Sequence, residues 1–131
     1  MLVVDASVLY EIVADTPQAE VMRARIAADP DHAAPHVLDV EVFSVIRRHW
    51  MEGRLDSTAA SQAVDDLFAW PGQRYSHRPL LDRAWTLRSD VRGWDAMYVA
   101  LTEALDATLV TTDQRLAAAS GPACRIEVLG G

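Results

Sequence analysis

The sequence predicts an α/β fold built on a parallel sheet. Short strand-like runs alternate with helical stretches along the whole chain, the pattern of a parallel sheet covered on both faces. No repeat, low-complexity tract or linker divides the 131 residues, a length that suits one domain, 1–131, with one sizeable core. Acidic residues stand where several of the strands end or helices begin, in Val4-Asp5, Trp94-Asp95 and Thr112-Asp113.

The elements follow in order. An opening strand at residues 2–5 leads into a helix at 6–14. A second helix is expected at 17–28, with Pro17 in the first helical position, where its missing N–H does no harm. Asp29-Pro30-Asp31 stops it, and 32–36 is the next strand. A helix over 37–51 ends at Gly53, and Ser57 is expected to cap another that runs to Trp70, before the Pro71-Gly72 break. Residues 73–76 form a weak strand, followed by helices at 80–89 and 95–105. A strand at 108–111, a short helix at 114–119 and a last strand at 125–128 complete the chain.

Four carboxylates carry the chemistry: Asp5, Glu41, Asp95 and Asp113. In a parallel sheet, strand ends and helix starts gather at one edge, so acids far apart in sequence can meet there. Taken singly, Asp5, Asp95 and Asp113 each read as helix N-caps, a position that favours Asp. A cap and a metal ligand are compatible, because one oxygen can accept a backbone N–H while the other faces an ion. Glu41 differs, lying inside a helix. At 100° per residue it shares a narrow polar stripe with Ser44 and Arg48, while Leu38, Val40, Val42, Phe43, Val45, Ile46 and Trp50 make the helix apolar enough to expect burial. The stripe then faces solvent or a wet cleft, and its closeness to the sheet edge favours the cleft. Converging carboxylates repel one another unless a divalent cation sits among them, and hard Mg²⁺ or Mn²⁺ selects all-oxygen sites. The pattern therefore points to a metal-dependent hydrolase.

Composition narrows the alternatives. Hydrophobic residues make up 50% and charged residues 24%, ordinary for a folded soluble protein. No apolar run reaches the roughly 18 residues of a membrane span, and the start lacks the basic region of a signal peptide. Cys124 is the one cysteine, so no internal disulfide forms and the cytoplasm is the default compartment. A net charge of −7 argues against a nucleic-acid partner. Bound cations at the acids would mask part of that charge, and all twelve basic residues are arginine, whose planar fork suits phosphate. Codon bias explains the missing lysine more simply.

The four segments that hold the acids, Val3-Val4-Asp5-Ala6-Ser7, Leu38-Asp39-Val40-Glu41-Val42 with Arg47-Arg48, Asp95-Ala96-Met97-Tyr98-Val99-Ala100-Leu101 and Leu109-Val110-Thr111-Thr112-Asp113-Gln114-Arg115-Leu116, together resemble the PIN-domain ribonucleases, and within them the VapC-type toxins of bacterial toxin–antitoxin pairs. The resemblance covers nearly the whole chain. It implies a three-layer sandwich with a five-stranded parallel sheet flanked by helices. It also implies a Mg²⁺ or Mn²⁺ site made by Asp5, Glu41, Asp95 and Asp113, with hydroxyls such as Ser7 or Thr112 in support and Arg48 and Arg115 as phosphate contacts. RNA is the implied substrate, a VapB-type antitoxin the implied partner, and a homodimer the implied assembly. Asp39 departs from the pattern as an extra acid, read here as favourable charge in a helix's first turn.

An acidic nuclease of this kind is expected to bind RNA weakly without metal, and to recognise folded or single-stranded segments by shape and stacking. Trp94, beside Asp95, can stack on a base, although a core or rim aromatic is the commoner role. A phospho-accepting receiver or a haloacid-dehalogenase-like phosphatase would also place Asp after the first strand, but both rely on a late lysine that this chain lacks. A PIN-family nuclease outside a toxin pair and a non-catalytic binding module remain as alternatives. Pro35 between His32 and His36 argues against a shared helical metal face, and His49 and His77 read as surface or packing residues.

Overall fold

The computed structural model describes residues 1–130. Its strands are β1 (Leu2–Val4), β2 (His32–Pro35), β3 (Gln73–Tyr75), β4 (Thr108–Thr111) and β5 (Arg125–Val128). They form one all-parallel sheet in the order β3-β2-β1-β4-β5. Seven helices connect them: α1 (Ala6–Val13), α2 (Ala19–Ala27), α3 (Val37–Met51), α4 (Ser57–Ala69), α5 (Leu81–Thr86), α6 (Gly93–Ala104) and α7 (Gln114–Ala118), with a 3₁₀ turn at Arg78–Leu80.

The strand order follows from burial. β1 is central and wholly buried, and the alanines of β2 and Leu109 and Val110 of β4 flank it in the core. Such strands read as continuous apolar runs because helices cover both faces. The edge strands β3 and β5 are part-exposed and more polar. α1 packs against α2, α3 and α4, while α6 lies across β2, β1 and β4 with α5 against it. Chain direction across the sheet reverses between β1 and β4: from β1 the chain works outward to β2 and β3, then returns to β4 and β5. A crevice beyond the carboxyl ends of strands at such a reversal is where open α/β sheets bind ligands. Asp5 follows β1 and Asp113 lies just past β4, so both acids border that crevice.

Several local expectations are corrected. Pro17 lies in a turn before α2, which starts at Ala19; Asp15 takes φ 52° and the Thr16 hydroxyl accepts from the Gln18 N–H, so the chain bends before it coils. The cap of α4 is Asp56, not Ser57: its Oδ1 accepts the Ala59 N–H at 2.8 Å, while the Ser57 hydroxyl accepts from the Trp50 indole. The helix expected at 80–89 is a 3₁₀ turn followed by the short α5. α6 begins at Gly93, which places Asp95 in its first turn with Arg92 at the cap.

α3 is also less buried than its hydrophobicity predicts. Leu38, Val42 and Ile46 enter the core, but Val40, Phe43 and Trp50 are exposed. Beside them, α4 exposes Val64 and Phe68, the latter at 91%. Periodicity shows that a face is apolar without saying whether this chain or another molecule covers it. Asp39, as expected, serves the fold: the Arg74 guanidinium donates to both its oxygens, at 3.0 and 2.8 Å, and also to the carbonyls of Leu67, Trp70 and Gly72. That one side chain ties α3 to the end of α4 and to β3. Gly72 is required there, since a Cβ would stand about 2.2 Å from the Trp70 ring.

The reassigned cap gives a stability test. Asp56→Ala is expected to lower the unfolding free energy in urea by about 1 kcal/mol, and Asp56→Asn, which keeps an accepting oxygen, to retain most of it.

Candidate active site

Asp5 ends the central strand with extended backbone geometry, φ −72° and ψ 150°, and so occupies the N-cap of α1. Its side chain makes no cap hydrogen bond. Instead, Oδ2 accepts from the Ser7 hydroxyl at 2.6 Å and from the Thr111 hydroxyl at 2.7 Å. The residue is only 6% exposed. Burial raises its pKa most; the two hydroxyls and the Ala6 backbone oppose that, and the Asp113 charge raises it further.

The two hydroxyls tie Asp5 to the loop after β4. Ser7 Oγ accepts the Thr112 N–H at 3.1 Å, and Thr111 Oγ1 accepts the Asp113 N–H at 3.1 Å. Ser7 thus stands beside Asp5 as expected. Thr112 supports this network through its backbone, whereas the hydroxyl that reaches Asp5 belongs to Thr111. Register explains the choice: Val4 pairs with Val110, so the next residues, Asp5 and Thr111, come side by side and Thr112 turns to the other face. Strand alternation could have singled out Thr111 had the pairing been known.

Asp113 caps α7 as expected, with Oδ1 accepting the N–H groups of Arg115 and Leu116 at 2.9 and 3.4 Å. Asp95 does not cap. Arg92 Nη2 donates to its Oδ2 at 3.4 Å, a pairing the sequence reading missed although an Arg three residues before an Asp at a helix start hints at it. Burial raises the Asp95 pKa first, with the Asp5 charge adding to it; Arg92 opposes both.

Glu41 lies in the second turn of α3, and its Oε1 is buried without a hydrogen-bond partner. Its pKa is pushed up to about 7, chiefly by burial; the nearby Tyr98 hydroxyl opposes this, the Asp5 and Asp95 charges add to it, and Arg92 again opposes. Oε1 and the buried Tyr98 hydroxyl do not reach hydrogen-bonding geometry, so both oxygens stay unpartnered. The expected stripe is not a bonded cluster: neither Ser44 nor Arg48 hydrogen-bonds to Glu41 among the described residues, and the stripe faces a cleft.

Two adjoining hollows hold these groups. One, of about 440 Å³, is lined by Glu41, Arg92, Gly93, Trp94 and Asp95. The other, of about 190 Å³, places Asp95 and Arg92 with Asp113 and Arg115. Asp95 borders both, and Asp5 acts electrostatically on Glu41 and Asp95 from beneath. Arg48 is exposed along a neighbouring groove that also includes Glu41 and Trp94. Trp94 is a rim residue, 55% exposed.

This donor set fits a hard divalent cation. The donors are all oxygens, three of the acids have raised pKa values, and Glu41 Oε1 lacks any partner within the protein. Among the described residues no three of the His, Cys, Asp or Glu side chains close directly around one point. Mg²⁺ does not demand such a cage, since it usually keeps several waters and takes one or two carboxylates. Three of the four histidines are engaged elsewhere: His32 Nε2 meets the Ile26 carbonyl, His49 pairs with the Tyr10 hydroxyl, and His77 Nε2 accepts the Val37 N–H.

Comparison with known proteins agrees with this geometry. Residues 2–122 match the PIN domain family. Ribonuclease VapC1 of Mycobacterium tuberculosis is 37% identical over 128 residues, 97% of this chain and 96% of that protein. Among solved structures, VapC20 of Mycobacterium tuberculosis, a sarcin–ricin loop cleaving toxin, superposes with a TM-score of 0.70 at 16% identity, covering 90% of this chain and 94% of that one. VapBC2 from Rickettsia felis, bound to a DNA fragment from its promoter, gives 0.68 at 13% identity and covers 98% of both chains. An acid-lined crevice at the reversal point of a five-stranded parallel sheet and a sequence match spanning nearly the whole chain lead to one assignment: the protein belongs to the PIN-domain family, in the group that contains the VapC ribonucleases.

Proposed function

We propose that the chain, 1–131, acts as one PIN unit: a Mg²⁺- or Mn²⁺-dependent endoribonuclease and the toxin of a toxin–antitoxin pair. The observation that carries this reading is the convergence of Glu41 and Asp95 on one crevice, each pushed toward its neutral form by burial and by the nearby Asp5 charge. Burial and mutual repulsion both disfavour the charged forms of these carboxylates, and a cation among them would offset both. The 37% identity to a named VapC ribonuclease supports RNA as the substrate.

Each side chain has a distinct task. Asp5, Glu41 and Asp95 would hold the ion, directly or through water. A divalent ion there supplies charge to the phosphoryl oxygens and lowers the pKa of water. Ser7 and Thr111 fix the Asp5 carboxyl by bonding Oδ2, which leaves Oδ1 outside that pair of bonds. Asp113, held by the α7 backbone, completes the acidic ring as a ligand or by orienting the attacking water. Arg92 and Arg115 border the hollows beside the acids, and Arg48 the groove next to them; all three offer guanidinium forks to substrate phosphates.

A VapB-type antitoxin is the proposed protein partner, supported by the VapBC2 likeness and by the uncovered apolar strip of Phe43, Trp50 and Phe68. A homodimer is the proposed assembly. Among the described residues no helix is long and apolar enough to cross a membrane, and the cytoplasm is the proposed compartment.

Three outcomes test the site. Asp5→Asn keeps the shape of the side chain and removes its charge, so RNA cleavage is expected to fall at least about a hundred-fold while circular dichroism stays native. Thr111→Val is expected to lower metal affinity or activity by about 10- to 100-fold, as loss of a ligand-orienting contact does, and Thr112→Val, which keeps its N–H, to fall short of that. The third is pH. Glu41 titrates near 7 in the folded chain against an ordinary 4.5, so between those values the native state holds the extra proton. Metal-free stability is therefore expected to fall as pH rises through that window, and the Mg²⁺-induced rise in Tm to be larger near pH 8 than near pH 5.5. A Tm that does not respond to Mg²⁺ or Mn²⁺ at either pH, with cleavage intact in EDTA, would overturn the metal assignment.

A further inference from the structure

Trp94 divides two concavities. On one side is the acid hollow with Glu41 and Asp95; on the other is a groove of about 520 Å³ along the first half of α3. The two share Glu41 and Trp94, and Glu41 is the one acid lining the groove. Elsewhere the lining is apolar or neutral-to-cationic: Val37, Val40 and Val45 form the wall, with His77 near one end of α3 and Arg48 further along. In a chain with a net charge of −7, this is where the surface beside the acids stops being acidic.

The details suit a flat heteroaromatic ring. Trp94 is 55% exposed with its indole at the rim, and Val40 is 64% exposed opposite the same space. The Val37 N–H donates to His77 Nε2 at 2.9 Å, which fixes the ring at the end of the groove. Arg48, which also lines the groove, makes no ion pair among the described residues, which leaves its guanidinium free for a phosphate.

We infer that this groove is a nucleobase subsite, in which an unpaired base next to the scissile phosphate stacks on Trp94 against the valine wall. The inference rests on the nuclease reading above and adds the residues that choose where the RNA is cut. A base held in this way must be out of its helix, so the subsite selects loops and single strands.

The test compares wild type, Trp94→Ala and Trp94→Phe on a randomised single-stranded RNA pool with Mg²⁺ or Mn²⁺, followed by one preferred sequence carrying an abasic nucleotide walked along its length. Trp94→Ala is expected to lower kcat/KM about ten-fold or more, mainly through KM, and to flatten the base preference at one position beside the cut. Trp94→Phe, still able to stack, is expected to recover most of both. The abasic nucleotide at that position is expected to penalise wild type and to add little to Trp94→Ala. If wild type cuts no RNA, the nuclease reading itself fails. If wild type cuts, but Trp94→Ala keeps its KM and cleavage profile and responds to every abasic position as wild type does, the subsite alone is overturned. Loss of antitoxin neutralisation with an unchanged cleavage profile would likewise overturn it, assigning the groove to a protein partner.

Discussion

Asp5 sets the terms for the rest of the molecule. A carboxylate at the end of the central strand, 6% exposed, is unfavourable unless its charge is compensated. The fold compensates one oxygen with two hydroxyls from separate elements, Ser7 on α1 and Thr111 on β4. The same hydroxyls accept backbone N–H groups from Thr112 and Asp113, so the loop that delivers Asp113 is fixed by the residue that anchors Asp5. Burial and charge repulsion then act together, raising Asp5, Glu41 and Asp95 toward their neutral forms. A divalent cation reverses that tendency, which is why the pocket is read as a place for one.

The framework around the site is braced by arginine. Arg74 pairs with Asp39 and gathers three carbonyls at the end of α4, holding α3 in position and with it Glu41. On the other side of the molecule, Arg83 pairs with Glu103 at 2.6 and 3.0 Å, joining α5 to α6, the helix that presents Asp95. Both site-bearing helices are thus located by bidentate ion pairs at part-buried positions, where the fork geometry of arginine gives direction as well as charge. Arg92, Arg48 and Arg115 are not engaged in such bracing. Two of them border the acids and one the adjoining groove.

The acids themselves were legible in the sequence because each occupies a place with its own signature: Asp5 and Asp113 after apolar strands, Asp95 in a helix's first turn, Glu41 on a polar stripe of an apolar helix. Their assignment as caps was legible only in part. Asp113 caps through its side chain, Asp5 caps through its backbone alone, and Asp95 sits two residues inside a helix that starts at Gly93. Thr111 was hidden because its partner is 106 residues away in sequence. The uncovered faces of α3 and α4 were hidden as well, since hydrophobic periodicity reports the need for a cover and not its source.

Local chemistry is what the sequence by itself determined: the alternation of strands and helices, the buried runs Leu2-Val3-Val4 and Leu109-Val110, the four acids and the absence of lysine. These depend on neighbours within a few residues, so they can be read along the chain. The tertiary structure alone decided which hydroxyl supports Asp5, which guanidinium faces Asp95, that Glu41 Oε1 lacks a partner, and that Trp94 stands between an acidic hollow and an apolar groove. Each depends on strand register or on helices meeting across the sheet, and those contacts exist only once the chain has closed on itself.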